Sequence, residues 1–215
     1  MPKYFPYTIV FEILCFCVGL ILLRKDKSLF WKLALVFLFI TCITECYGLY
    51  LAHKYHNNLK LYNFFYLMEQ AFVSYSMYYC LKPYINPKPL IISGVVILVF
   101  SDLYFFLGYF HKDYNTLSLT ISGVLFVVYS LLYFNLFLKE KEYVQISTHP
   151  EFWWVTGILF FYFGSVIFSL FFRSITVKLF DRSIYYYLIT ILNLILYSLW
   201  TYSFICRARQ QKLRS

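Results

Sequence analysis

Charge is scarce in this sequence, and long polar stretches are missing altogether. Asp, Glu, Lys and Arg make up 13% of its 215 residues, hydrophobic residues make up 61%, and mean hydropathy is +0.66. Ordinary soluble domains carry about 25% charged residues, so that class is excluded. The gaps between apolar runs, such as "RKDKS", "KPYINPK" and "HKDYN", are too short to fold alone, and the longest, "KEKEYVQISTHPEF", is still only a connection. No lysine lies inside the last apolar run, which excludes a retinal protein with its Schiff-base lysine. The four histidines, His53, His56, His111 and His149, all lie shallow, which excludes a zinc hydrolase with ligands grouped inside helices. His53, His56 and His111 read as interfacial residues rather than a metal site, and no metal or other cofactor is expected. Nucleophile-elbow, Walker and dinucleotide fingerprints are absent, so no catalytic residue is assigned. Nothing beyond bulk charge points to nucleic acid. Internal repeats are lacking too, which disfavours transporters built from duplicated halves.

What the sequence has is a series of apolar runs of about 20 residues, the length that crosses ~30 Å of hydrocarbon. They predict an all-α polytopic membrane protein, a single seven-helix transmembrane domain over residues 1–215. The spans are Tyr7–Leu23, Leu33–Ala52, Leu61–Leu81, Leu90–Phe110, Leu117–Leu138, Trp153–Phe172 and Ile184–Ile205. Glu12 interrupts the first run and no small-residue cleavage site follows it, so a cleaved signal peptide is not expected. Aromatic residues reach 24%. Those near span ends, among them Tyr4, Tyr7, Trp31, Tyr84, Tyr109, Tyr143, Trp153, Trp154 and Tyr185, fit the interfacial belt. The six cysteines, Cys15, Cys17, Cys42, Cys46, Cys80 and Cys206, fall in spans or at their inner ends and read as small packing residues.

Lysine and arginine orient the bundle. With the N-terminus outside, twelve of the nineteen cations face the cytoplasm, in the segments around Arg24–Lys32, Lys82–Lys88, Lys139–Lys141 and Arg207–Arg214. That bias predicts an N-out, C-in protein. The tail "RARQQKLRS" reads as an anchor against anionic lipid of the inner leaflet, with a docking site for a cytoplasmic partner as the sharper alternative.

Four acids lie inside the predicted spans: Glu12, Glu45, Glu69 and Asp102. Intramembrane acids are costly and face the bundle interior or mark a functional pathway. At 1.5 Å per residue, Glu12 lies about 8 Å below the outer end of its span, Glu45 about 10 Å, Glu69 and Asp102 about 12 Å, with Asn193 at about 13 Å. One layer in the outer half of the bundle therefore holds them all. Helical periodicity places Thr41, Glu45, Gly48 and Ala52 on one stripe of span two. Span three has Tyr62, Tyr66, Glu69, Val73 and Ser76 on one stripe, and span seven has Tyr186, Thr190, Asn193 and Tyr197. The hydroxyls of Tyr62 and Tyr66 and the amide of Asn193 are expected to donate hydrogen bonds to the acids. Gly157 and Gly164, with Phe161 and Phe168, read as close packing of span six. With no intramembrane cation to pair with them, the acids point to a site for something cationic, protic or hydroxyl-bearing. The competing reading makes them fasteners between helices.

The stretches "TECYGLYLA", "NNLKLYNFFYLMEQ", "FWWVTGILFFYFGSVIFSL" and "ITILNLILYSLW" resemble a group of small seven-helix membrane proteins of Bacteroidetes. They are also similar to seven-helix modules that serve as sensory input domains of histidine kinases. The resemblance covers most of the chain and implies functional positions at Glu45, Tyr62, Asn63, Glu69, Trp154, Ser165 and Asn193. It implies a receptor or sensor-like module of the bacterial cytoplasmic (inner) membrane, contacting membrane lipid and binding a small ligand or proton. This sequence carries no kinase domain, so sensing would depend on a separate cytoplasmic or membrane signalling partner. Two other readings stand behind that one. They are a proton-coupled small-solute transporter and a membrane-embedded lipid-modifying enzyme. The orientation is testable first: a reporter fused after Ser215 should read cytoplasmic and one placed before Met1 external, and the reverse pattern would put the acid layer in the inner half.

Overall fold

The computed structural model describes residues 7–108, 115–139, 146–172, 178–179 and 182–214. Within them the chain forms seven α-helices: α1 Tyr7–Leu22, α2 Leu29–Tyr55, α3 Leu59–Leu81, α4 Lys88–Gly108, α5 Thr116–Leu138, α6 Pro150–Ile167 and α7 Ile184–Arg214. A 3₁₀ turn, Ile146–Thr148, precedes α6, and a π-helical segment, Phe168–Phe172, continues it. Two short strands, β1 Lys178–Leu179 and β2 Arg182–Ser183, pair antiparallel before α7. Tyr4, Tyr109, Tyr143, His111 and the predicted span end at Phe110 lie outside the described residues, as does the side chain of Tyr185.

Five helices, α2, α4, α5, α6 and α7, are long and apolar enough to cross a membrane. This is the make-up of an integral membrane protein. The outward face of α4 makes the physical point: Val96, Phe100, Leu103 and Leu107 are all exposed at helical spacing, a stripe that water would not tolerate and lipid solvates. α1 is apolar but spans only 16 described residues. α3 is 23 residues long, and its hydropathy is diluted by Asn63, Glu69, Gln70, Ser74 and Ser76. Its position explains the dilution. Neighbouring helices pack in chain order around a ring that α7 closes against α1, and α3 additionally packs on α5 and α6. A helix surrounded by protein on most sides has less need of an apolar surface, and Asn63, Glu69 and Ser76 find partners there.

Aromatic rings fill the centre. Trp154 of α6 stacks on Trp200 of α7 with centroids 4.1 Å apart and planes 6° apart. Trp31 of α2 meets the edge of Trp154 at 5.9 Å, Phe30 stacks on Tyr79 at 4.1 Å, and Phe37 on Phe72 at 4.2 Å. Trp31 and Trp154, read from sequence as interfacial, are fully buried. Trp31 is the third residue of α2 and Trp154 the fifth of α6, so both are near helix ends, but rings of neighbouring helices cover them. Gly157 permits the tryptophan stack, since a Cβ there would sit 3.1 Å from the Trp200 ring. The same closeness recurs at Gly164 against Leu192, so the glycine stripe of α6 is its contact with α7. Of the cysteines, Cys15, Cys80 and Cys206 are buried, whereas Cys17 and Cys46 are exposed on the outer surface; all are free thiols.

At one end of the bundle the turn between α1 and α2 is tied to the end of α7. Arg207 donates from Nε to Asp26 Oδ2 at 2.7 Å and from Nη2 to Oδ1 at 3.3 Å. The Ser28 amide donates to Oδ1 at 2.7 Å, and the guanidinium rests over the Trp31 ring. Burial works against ionisation of Asp26, but the hydrogen bonds from Arg207 and Ser28 and the guanidinium charge outweigh it and hold the carboxyl below its usual value. A lowered carboxyl pKa contributes stability above the unfolded value, and that stability is lost as pH falls through the folded one. Asp26→Asn should therefore cost roughly 1.5–3 kcal/mol near neutrality. Thermal unfolding in detergent from pH 7 to 3 should show the gap between variant and wild type closing below about pH 4; a gap independent of pH would mean the pair contributes no charge-dependent stability.

Candidate functional site

α2, α3, α5, α6 and α7 enclose a cavity of about 570 Å³. Five of the seven residues singled out from sequence line it: Glu45, Tyr62, Tyr66, Glu69 and Asn193. Their convergence follows from helical periodicity, because each stripe repeats every three or four residues and so keeps one face toward the centre. Thr41 and Glu45 enter from α2, Asn193 and Tyr197 from α7, and Ser165 and Phe168 from α6 and its π-helical continuation. Aromatic side chains, including Phe37, Phe65, Phe161 and Trp200, form much of the remaining wall. No lysine, arginine or histidine is among the described lining residues.

The two lining acids are each held from one side. Tyr62 donates its hydroxyl to Glu45 Oε2 at 3.0 Å. This bond depends on Gly48, one turn beyond Glu45 on α2, because a Cβ there would lie 2.7 Å from the Tyr62 hydroxyl. Tyr162 of α6 donates to Glu69 Oε1 at 2.6 Å. Such a short bond to a carboxyl group is stronger than a neutral pair when the acid is ionised, and it fixes the Glu69 carboxyl across the α3–α6 contact.

The other expected donors point elsewhere. Tyr66 donates to the Ser118 carbonyl at 3.0 Å and also meets the Ser122 hydroxyl. Asn193 donates from Nδ2 to the Ile189 carbonyl on its own helix at 2.9 Å, which turns its amide oxygen away from that bond. The expectation that Tyr66 and Asn193 donate to the acids is corrected accordingly. Of the expected donors, Tyr62 does so.

Glu12 and Asp102 do not line the cavity. Glu12 is buried on α1, within electrostatic reach of Cys42, Glu45 and Tyr197, and its Oε1 has no hydrogen-bond partner among the described residues. Asp102 belongs to a polar joint between α3, α4 and α5. Asn115 caps α5 by accepting from the Ser118 amide at 3.2 Å, donates from Nδ2 to Asp102 Oδ1 at 2.9 Å, and donates its own amide to Asn63 Oδ1 at 3.3 Å. Ser101 and Ser118 share a hydrogen bond of 2.7 Å alongside. Capping an otherwise open helix end inside the bundle is structural work, and Asp102 is one of its fasteners.

Sequence reasoning missed Tyr162, Asn115 and Ser118. Tyr162 lies next to the glycine stripe of α6, hidden by the reading of that face as packing alone. The Asn115–Thr116–Leu117–Ser118 run carries a recognisable cap pattern. His53 and His56 are exposed, and among the described residues no group of three or more His, Cys, Asp and Glu is placed to hold a metal. Of the positions suggested by resemblance, Glu45, Tyr62, Glu69, Ser165 and Asn193 line the cavity, whereas Asn63 belongs to the polar joint and Trp154 to the aromatic core.

Compared with family models, with curated proteins and with solved structures, the chain finds no match.

A double-mutant cycle checks its wiring. Tyr162→Phe and Glu69→Gln should each lower stability in detergent, and together they should show a coupling of at least about 0.5 kcal/mol. Tyr162→Phe combined with Asp102→Asn should be additive. Additivity in the first pair would mean the Tyr162–Glu69 bond does not form.

Proposed function

We propose that the chain is a seven-span receptor-like module of a bacterial inner membrane, N-terminus outside, that binds a small cationic or hydroxyl-bearing ligand between Glu45 and Glu69. One observation carries the reading: a cavity of about 570 Å³ holds two carboxyl groups and has aromatic walls, with no cation among the described lining residues. Such a volume falls in the range of small-molecule sites, which are mostly apolar with a few placed polar groups. An ammonium or other donor from a ligand would add a second partner to Glu45 and Glu69 beside Tyr62 and Tyr162, while its apolar body would meet Phe65, Phe161 and Trp200. Five helices contribute to the wall, so occupancy bears on how they pack, and that is the signal a cytoplasmic or membrane partner would read.

A proton-coupled carrier is the second reading. The π-helical segment that follows α6 favours it, because Phe168 and Ser169 line the cavity where the helix widens. Irregular helical segments are characteristic of substrate sites in transporters.

The test uses purified protein in detergent and a panel of aliphatic and aromatic primary amines, matched alcohols and matched carboxylates. A member of the amine series should raise the unfolding temperature of the wild type. The response should vanish in the Glu45→Gln, Glu69→Gln double variant, with its elution profile unchanged, and should persist in Leu131→Ala on the outer face. Wild-type response in the double variant overturns the site. Accumulation of the same amine in proteoliposomes under a proton gradient would favour the carrier over the receptor.

A further inference from the structure

A second pocket opens at the end of the bundle where α1 stops, α2 begins and α7 ends. Its lining mixes two chemistries. Among the described lining residues, Arg24, Lys25, Lys27, Arg207 and Lys212 bring five cations against the one carboxylate of Asp26, and Leu20, Ile21 and Leu22 form its apolar side. Asp26 is buried and already engaged by Arg207 and the Ser28 amide, so its charge is compensated from within. Arg24, Lys25 and Lys27 lie exposed around it, held together by a turn that the Asp26–Arg207 pair pins to α7.

The apolar side is as informative as the charges. Leu20 and Ile21 are 50% and 75% exposed, and both belong to α1, whose surface above them is equally apolar: Leu14, Ile13 and Val10 are also exposed. A site for a free inorganic anion has no use for such a track. Cations at the end of a hydrophobic helix, with a groove that passes from them onto the helix's apolar surface, match a molecule that is anionic at one end and hydrocarbon along the rest. Basic pockets between helices at a membrane surface bind phospholipid head groups by this combination, and arginine adds bidentate geometry for phosphate oxygens.

We propose that this pocket holds the phosphoryl head group of an anionic phospholipid, with an acyl chain lying along the exposed face of α1. Arg24, Lys25 and Lys27 contact the phosphate directly, and Arg207 is a positioning residue that sets their turn against α7 through Asp26. The site is distinct from the carboxylate-lined cavity and does not depend on its function.

Native mass spectrometry of the full chain in a neutral detergent tests the assignment, with palmitoyl-oleoyl phosphatidylglycerol, palmitoyl-oleoyl phosphatidylcholine and inorganic phosphate as probes. Wild-type protein should retain one phosphatidylglycerol in preference to phosphatidylcholine, and millimolar inorganic phosphate should not displace it. Affinity should fall roughly fivefold for each cation removed, and so by about a hundredfold in R24Q/K25Q/K27Q. K54Q/K60Q, with changes at the opposite end of the bundle, should bind as wild type does. Should the triple variant aggregate, the single variants R24Q, K25Q and K27Q each carry the fivefold expectation. Equal retention of phosphatidylglycerol by these variants and wild type overturns the proposal. So does displacement by inorganic phosphate at millimolar concentration, which would make the pocket a site for the free anion.

Discussion

Trp154 lies flat against Trp200, and the arrangement of the bundle depends on that contact. Helices in a membrane gain little from the hydrophobic effect, because lipid is as apolar as leucine; close packing and internal hydrogen bonds have to hold them. The stack supplies both. Gly157 brings α6 and α7 near enough for the rings to touch, Trp200 donates its indole N–H to the Trp154 carbonyl at 3.3 Å, and Trp154 donates its own to Ser76 of α3. Trp31 and Phe204 close over the edges. Three helices and part of a fourth thereby share one junction, and the cavity starts immediately beyond it, with Trp200 forming part of its wall.

Above that junction the polar groups divide into two kinds. Those around Asp102 are committed to one another: cap, amide and carboxyl close a network between α3, α4 and α5 that leaves little for a ligand. Glu45 and Glu69 are each tethered by a single tyrosine, and both border open space. The contrast separates a fastener from a candidate site better than depth in the membrane does, since all of these acids were expected in the same layer. Glu12 falls between the two kinds. It is buried, its Oε1 has no hydrogen-bond partner among the described residues, and it reaches the cavity through its neighbours Glu45 and Tyr197 rather than lining it.

Much of the helical arrangement was legible in the sequence because hydrocarbon thickness imposes a length that apolar runs reveal directly. Tyr7, Leu81 and Leu138 are helix ends in both the sequence reading and the structure. The lengths of α2 and α7 were underestimated: their C-terminal ends continue as helix into polar sequence, where composition no longer marks them, and Lys32 hid the apolar first turn of α2. The convergence of Glu45, Tyr62, Glu69 and Asn193 was legible for a similar reason: a stripe on one helix can be read without knowing its neighbours. Partners were not. Tyr162 and Glu69 are 93 residues apart and Asp26 and Arg207 are 181 apart, and nothing local in "RKDKS" sets its aspartate apart from any loop acid. Trp31 and Trp154 misled for a different reason. Tryptophan near a span end is normally interfacial, and only the position of neighbouring helices reveals that these two are roofed over.

α7 is 31 residues long, about 46 Å at 1.5 Å per residue, and the hydrocarbon layer is ~30 Å thick. It is therefore longer than that layer is thick, yet Ser203, Phe204, Cys206 and Ala208 in its later turns are still buried. From Trp200, where the helix is held by the tryptophan stack, to Lys212 is about 18 Å of helix. Along it Ser203 donates to the Pro150 carbonyl at 2.8 Å and Arg207 reaches Asp26, so this stretch is tied to α6 and to the α1–α2 turn. One unbroken helix thus carries Asn193 and Tyr197 into the cavity on one side of the tryptophan stack and Arg207 and Lys212 into the basic pocket on the other, so the two pockets share a single backbone.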